Sequence, residues 1–419
     1  MELRMKPGGD SYRSEDVIEE ERVMKKMQKF ISLALAVVMT AGLLAGCGST
    51  SAGTSAATTS GASASGSTFK IGGIGPLTGT AAVYGTAVKN AAQIAVDEVN
   101  AAGGINGSQV ELKFEDDELD AEKSVNAYNT LKDWGMQMLV GSVTSACSIA
   151  VSEKTKADSM FQITPSGSAA DCVKYDNVFR VCFSDPNQGV ASADYIADNK
   201  VATKVAVIYD SSDVYSSGIY QKFDAEAKTK NLSIVSAEAF TGDSKTDFSA
   251  QLQKAKDAGA DLVFLPIYYT EASIILTQAN SMGYAPKFFG CDGLDGILAM
   301  KNFDTKLAEG VMLLTPFAAD ATDELTQKFV AAYKKAYTDT PNQFAADAYD
   351  AIYAIKAAAE AGKVTPSMKT SEMCTAMEKA MTTITLTGLT GTITWTADGE
   401  PSKTPKAVEI KDGAYVSMK

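Results

Sequence analysis

Apolar positions from Phe69 onward follow two periods that take turns along the chain. Phe69 to Gly75 is a short apolar run, and Ala81 to Val99 then carries Tyr84, Val88, Ala91, Ala95 and Val99 at spacings of three and four. That spacing predicts an amphipathic helix, stopped by Gly103-Gly104. Val110, Leu112 and Phe114 alternate as a strand, a helix fits Ala121 to Lys132, and Met136 to Val140 reads as the next buried strand. The alternation continues through strands at Met160 to Thr164, Lys204 to Tyr209, Leu232 to Ala239, Asp261 to Leu265, Lys287 to Gly290 and Val311 to Leu314. Long helices are predicted over Ala321 to Tyr337 and Gln343 to Ala361, and the tail reads as two strands, Gly391 to Trp395 and Ala407 to Ile410, about an Asp398-Gly399 turn. Strands alternating with helices of this length make parallel sheets. More than 300 residues exceed what one core supports, so the expected fold class is α/β with two doubly wound parallel-sheet lobes, and Val178 to Asn187 is a crossing between them.

The segment before this body is of another kind. Met24-Lys25-Lys26 opens a basic stretch, Phe30 to Leu44 is apolar, and Leu44-Ala45-Gly46-Cys47 follows. These are the three regions of a secretory signal, too short for a spanning helix. Residues 1–23 are charged and without apolar periodicity, so translation is expected to start at Met24. Residues 48–68 are only Gly, Ser, Thr and Ala, a flexible tether with nothing to bury.

Composition narrows the chemistry. A net charge of −13 repels a phosphate backbone, which argues against nucleic acid as a partner. The chain has no histidine, so Ser-His-Asp and Cys-His nucleophiles and His-containing zinc sites are excluded. Five cysteines remain after Cys47, and no CxxC pair suggests a metal or redox site. Buried free thiols are expected, with Cys172 to Cys182 as the one bridge weighed. No cofactor motif is present: Gly73 to Gly79 departs from a dinucleotide loop in its last spacing, and neither a P-loop nor a GxSxG elbow occurs.

In open parallel sheets ligands bind beyond the carboxyl ends of the strands. The residues there are Gly75 to Gly79 with Tyr84 beyond, Gly141 to Ser145, Thr164 to Ser168, Asp210 to Tyr215, Pro266 to Tyr269 and Cys291 to Gly293. Two of these are small hydroxyl-bearing turns that enter helices, where free N–H groups and Ser or Thr side chains hold an anion. With no Lys or Arg in either, a carboxylate fits better than a phosphate.

Taken together, Ile74-Gly75-Pro76-Leu77-Thr78-Gly79, Tyr84-Gly85, Asp97 to Gly107, Val140-Gly141-Ser142 with Ser145, Ile163-Thr164-Pro165 with Ser168, and Gly391-Thr392-Ile393 with Asp398-Gly399 closely resemble the branched-chain (Leu/Ile/Val) amino acid binding proteins of ABC importers. Leu-Ala-Gly-Cys resembles the lipobox of bacterial lipoproteins, which implies a lipid on Cys47. The resemblance implies a type I periplasmic binding protein: two lobes joined by a three-stranded hinge, closing on an amino acid. It implies that Ser145 and Ser168, with backbone at Ser166, take the ligand carboxylate. Asp292 falls where a glutamate commonly holds the ammonium, and Tyr84, Tyr215, Tyr268 and Phe317 wall the pocket.

The expected organisation is an extension and signal peptide over 1–46 and a lipidated tether over 47–68. Lobe 1 is expected from 69–185 plus 317–394, and lobe 2 from 186–316 plus 395–419. The expected function is an extracytoplasmic, lipid-anchored receptor that delivers an amino acid to an ABC permease and catalyses nothing, with no metal and no cofactor. A ligand-sensing protein of the same fold, signalling to a membrane partner, is the alternative. Replacing Cys47 by serine should leave the protein unlipidated and free of the membrane, because the tether has no apolar surface. Cell fractionation checks this, and a mutant that stays membrane-bound with its diacylglyceryl group would overturn the lipobox reading.

Overall fold

The computed structural model describes residues 67–418, so the signal region, Cys47 and nearly all of the tether lie outside the described residues. The chain first builds a parallel sheet from β1 (Phe69–Gly75), β2 (Val110–Asp116), β3 (Met138–Val140), β4 (Phe161–Thr164) and β5 (Val178–Arg180), in the order β2-β1-β3-β4-β5. Between these strands run α1 (Ala82–Ala101), α2 (Ala121–Trp134) and α3 (Ser145–Ala157). Side chains alternate across a strand, and β3 divides accordingly. Met138 and Val140 join the apolar cluster under α1, whereas Leu139 joins Tyr128 and Leu131 of α2 and Val151 of α3 on the other face. The helix face carrying Tyr84, Val88, Ala91, Ala95 and Val99 is buried as its spacing predicts. Helix α2 is capped at both ends: the Asp120 side chain accepts from the Lys123 N–H, and Gly135 closes it in the left-handed conformation.

The chain crosses at 181–184 into a second lobe. There α4 (Asp185–Asp198), β6 (Lys204–Asp210), α5 (Val214–Thr229), β7 (Ser233–Phe240), α6 (Ser249–Asp257), β8 (Leu262–Leu265), α7 (Tyr269–Ser281), β9 (Lys287–Gly290) and β10 (Met312–Thr315) follow in turn. Helix α4 lies so close to α5 that a Cβ on Gly189 would stand 2.5 Å from the Ile219 carbonyl oxygen. A second crossing at 316–323 returns the chain to α8 (Glu324–Tyr337), α9 (Gln343–Ala361), α10 (Thr370–Met381), β11 (Leu386–Gly388) and β12 (Gly391–Ile393), with α9 packed on α1. A third, at 394–405, leads to β13 (Lys406–Lys411) and β14 (Ala414–Ser417), which complete the second sheet in the order β14-β13-β10-β9-β8-β6-β7.

Two features differ from the sequence expectation. The two tail strands do not pair with each other: β12 pairs with β11, while β13 runs antiparallel to β10 and turns back through Asp412-Gly413, both at positive φ, into β14. The second sheet is therefore parallel only from β10 to β7. The cysteines are as expected, and Cys172 and Cys182 form no bridge. Cys147, Cys172, Cys182, Cys291 and Cys374 are all free and buried, and burial pushes the Cys147 and Cys172 thiols up to about 12.

The third crossing is pinned by charge. Lys403 Nζ stands 2.6 Å from Asp347 Oδ1 of α9, with both side chains 1% exposed. Burial raises the Asp347 carboxyl to about 6 against the pull of Lys403. Removing one partner strands the other charge. Lys403→Met is expected to destabilise the protein by about 3–5 kcal/mol, read by urea unfolding.

Candidate binding cleft

The loops after β3 and β4 and the starts of α1 and α9 face the start of α5, the residue before α7 and the loop after β9. Tyr84, Val143, Thr144, Ser145, Ser166, Ser168 and Phe344 come from the first lobe, and Tyr215, Tyr268, Asp292 and Gly293 from the second. The cavity they enclose measures ≈ 10 Å³, about enough for one water. Aromatic rings fill the rest. Tyr215 stacks on Tyr268 at 5.0 Å and 15°, and Tyr84 lies 5.8 Å from Tyr268 and 4.4 Å from Phe344. The lobes touch through Tyr84, whose hydroxyl donates to the Gly293 carbonyl (2.5 Å) and accepts from the Tyr269 N–H (3.3 Å).

The first lobe presents donors. Ser145 opens α3, and its Oγ accepts the N–H groups of Ser168 (3.2 Å) and Ala169 (3.1 Å). A hydroxyl that accepts twice keeps its one proton for another acceptor. Thr144 caps α3 through its carbonyl, which accepts the Ser148 N–H at 2.8 Å, while its buried hydroxyl has no partner. Ser166 differs, since its hydroxyl is spent on the Val143 carbonyl at 2.6 Å. Arg180 sets the loop that carries these groups. Wholly buried, it donates to the carbonyls of Gly167 (3.2 Å) and Ser168 (2.5 Å) and meets Glu400 at 3.1 Å, so the loop after β4 and the third crossing share one guanidinium.

The second lobe presents an acid. Asp292 is 4% exposed, and its Oδ1 accepts from the Tyr215 hydroxyl at 2.7 Å. Its N–H donates to Gln188 Oε1 at 3.1 Å, and the Gly293 N–H donates to the Tyr215 hydroxyl at 2.9 Å. Burial raises the Asp292 carboxyl to about 7, partly offset by Tyr215 and Gln188. No Lys or Arg lines the cavity.

Of the residues singled out from sequence, Ser145, Ser166, Ser168, Asp292, Tyr84, Tyr215 and Tyr268 are brought together here. Phe317 is not. It packs edge-on against Phe329 in the core, 6.2 Å between centroids, and Phe344 supplies the wall instead. Phe344 is held in place because the Asn342 side chain caps α9 and Asp295 Oδ2 accepts the Gln343 N–H at 2.8 Å. Asn342 as a helix cap was the available signal for it. Thr144, Gln188 and Arg180 carried none that separates them from packing residues.

The periplasmic binding protein family profile matches residues 68–414. The chain is 34% identical over 292 residues to a Leu/Ile/Val-binding protein homolog of Brucella melitensis, covering 69% of this chain and 78% of the relative. Its fold is similar to a leucine-binding protein of Thermotoga maritima, at 26% identity and TM-score 0.75, covering 84% and 98% of the two chains. A branched-chain amino acid transporter substrate-binding protein of Streptococcus pneumoniae, solved in complex with isoleucine, matches at 29% identity and TM-score 0.75, covering 84% and 100%.

The Tyr215 hydroxyl both stabilises ionised Asp292 and accepts the Gly293 N–H. Tyr215→Phe should cost about 1–3 kcal/mol of stability and move the Asp292 pKa above about 7, since the lost bond favours the ionised form. Chemical denaturation and carboxyl carbon-13 titration check both.

Proposed function

We propose that this chain, which belongs to the periplasmic binding protein family, captures a branched-chain or other apolar amino acid in the cleft and hands it to an ABC importer. It is a binding protein and not an enzyme, as its relatives and structural neighbours are. One observation carries the ligand class. The two ends of the cavity have opposite chemistry on opposite lobes, with donor hydroxyls of Thr144 and Ser145 at one end and the buried acid Asp292 at the other. An α-amino acid fits that polarity, its carboxylate on Ser145 and Ser168 and its ammonium on Asp292. Aromatic walls of Tyr84, Tyr215, Tyr268 and Phe344 favour an apolar side chain.

Closure follows from the same arrangement. A site of ≈ 10 Å³ admits no amino acid with the lobes together, so the ligand enters with the lobes apart and then touches both. It stabilises the shut form by its differential contacts. Among the described residues no helix is long and apolar enough to cross a membrane. The lipid on Cys47 and the tether that follows would hold the receptor beside its permease.

Thermal unfolding against a panel of amino acids tests the reading, since ligand at about 100 times its dissociation constant adds roughly 2.7 kcal/mol. Leucine, isoleucine or valine should give the largest shift, and silence across the panel would sink the proposal. Ser145→Ala should weaken leucine about ten- to a hundredfold, and Asp292→Asn at least about a hundredfold. The pH dependence has a definite sign. Asp292 must be ionised to hold an ammonium and its pKa stands at about 7, so leucine affinity should fall as pH drops through that value, measurable by calorimetry.

A further inference from the structure

Asp185 is the first residue of α4, where the first crossing enters the second lobe. It is 1% exposed, and neither of its carboxylate oxygens has a partner within hydrogen-bond distance and geometry, the Ser168 hydroxyl acting on it only as a weaker donor. Its backbone N–H donates to the Ser168 carbonyl of the first lobe at 2.9 Å. On the other side a Cβ on Gly218 of α5 would lie 3.5 Å from Oδ2. The carboxyl group is thus wedged between the pocket loop of one lobe and a helix of the other. Gln188, one turn further along α4, holds the Asp292 N–H with its Oε1 and leaves its Nε2 without a partner. Gln188 thus ties the first turns of α4 to the loop that carries Asp292.

Nearby cations are committed elsewhere. Arg180 spends its terminal nitrogens on carbonyls and Glu400, and Lys245 pairs with Asp210 at 3.0 Å and lies 3.5 Å from Glu271. Burial pushes the Asp185 carboxyl well above the usual carboxylate range. The Ser168 hydroxyl and Arg180 pull it down, and Asp292 and Asp213 push it further up. A position in the first helical turn favours an acid. It does not supply a partner for two buried oxygens, and an unpaired buried acid is among the costlier features a fold retains.

We propose that Asp185 is a second carboxylate of the cation site, so that the ligand's ammonium is held between an acid at the hinge and Asp292 on the second lobe. This rests on the amino acid reading above and adds to it the residue that couples closure to the ligand's positive charge. Shutting the lobes buries Asp185 whatever the ligand, and only a ligand bearing a cation offsets that burial.

Calorimetry of the wild type and of Asp185→Asn with leucine and with its 2-keto analogue, at one pH, tests this. In D185N leucine affinity should fall at least about tenfold while the keto acid binds as well or better, so the preference for the ammonium collapses. Thermal unfolding without ligand should show D185N no less stable than the wild type, because an unpaired buried acid has been replaced by a neutral amide. An unchanged ratio of the two affinities overturns the proposal, even if both weaken together or stability falls, since that is the mark of a purely structural helix-start acid. If D185N does not fold, Asp185→Ser reads the same ratio. A wild type that binds no amino acid overturns the reading beneath it, whereas binding with an unchanged ratio overturns only the role of Asp185.

Discussion

Burying the Asp292 carboxyl costs several kcal/mol unless something shares its charge, and much of the cleft is arranged around that cost. Tyr215 donates to it and Gln188 holds its backbone N–H. Gln343, in the first turn of α9, approaches its carbonyl at 3.4 Å. These groups come from α5, α4 and α9, so the acid gathers one helix of the first lobe and two of the second around a single loop. The donor end is built more cheaply, from a helix start and one Arg180 side chain that anchors the pocket loop and the last crossing at once. The polarity of the cleft therefore comes from the junction of the lobes rather than from either sheet alone.

How far this was legible in the sequence depends on what places each residue. Ser145, Ser168, Tyr268 and Asp292 stand just beyond strands whose period is plain, and the rule that ligands bind past the carboxyl ends of parallel strands leads to them. Phe317 came from the family resemblance alone; it follows β10 but turns into the core against Phe329. Phe344 reaches the cavity from the first turn of a helix on the returning chain, where no strand end points to it. Asp185 sits in an Asp-Pro-Asn run that reads as a crossing, and its burial depends on contacts with Ser168 and Gly218, distant in sequence, that no local pattern signals. Partner choice among strands was equally hidden. Alternation in β12 and β13 is the same whichever strand lies alongside, so the sequence marks them as strands without saying that they belong to different sheets.

Helix packing adds a second constraint on the acidic end. The close seat of α4 on α5 at Gly189 fixes the register of the helix that carries both Asp185 and Gln188. A shift there would move both side chains relative to Asp292. The tight crossing of two helices on the outside of the second lobe thus sets the geometry of the charge inside the cleft.

The thiols have a practical side. All five cysteines among the described residues are buried, and the titrations of Cys147 and Cys172 are displaced upward, so they react poorly with alkylating reagents at neutral pH. In a soluble form without Cys47, a cysteine introduced on the rim of the cleft would be the accessible thiol of the folded domain. Under the closure proposed above, a fluorophore attached there would change its surroundings, which would suit the scaffold to an optical sensor without first deleting the native cysteines.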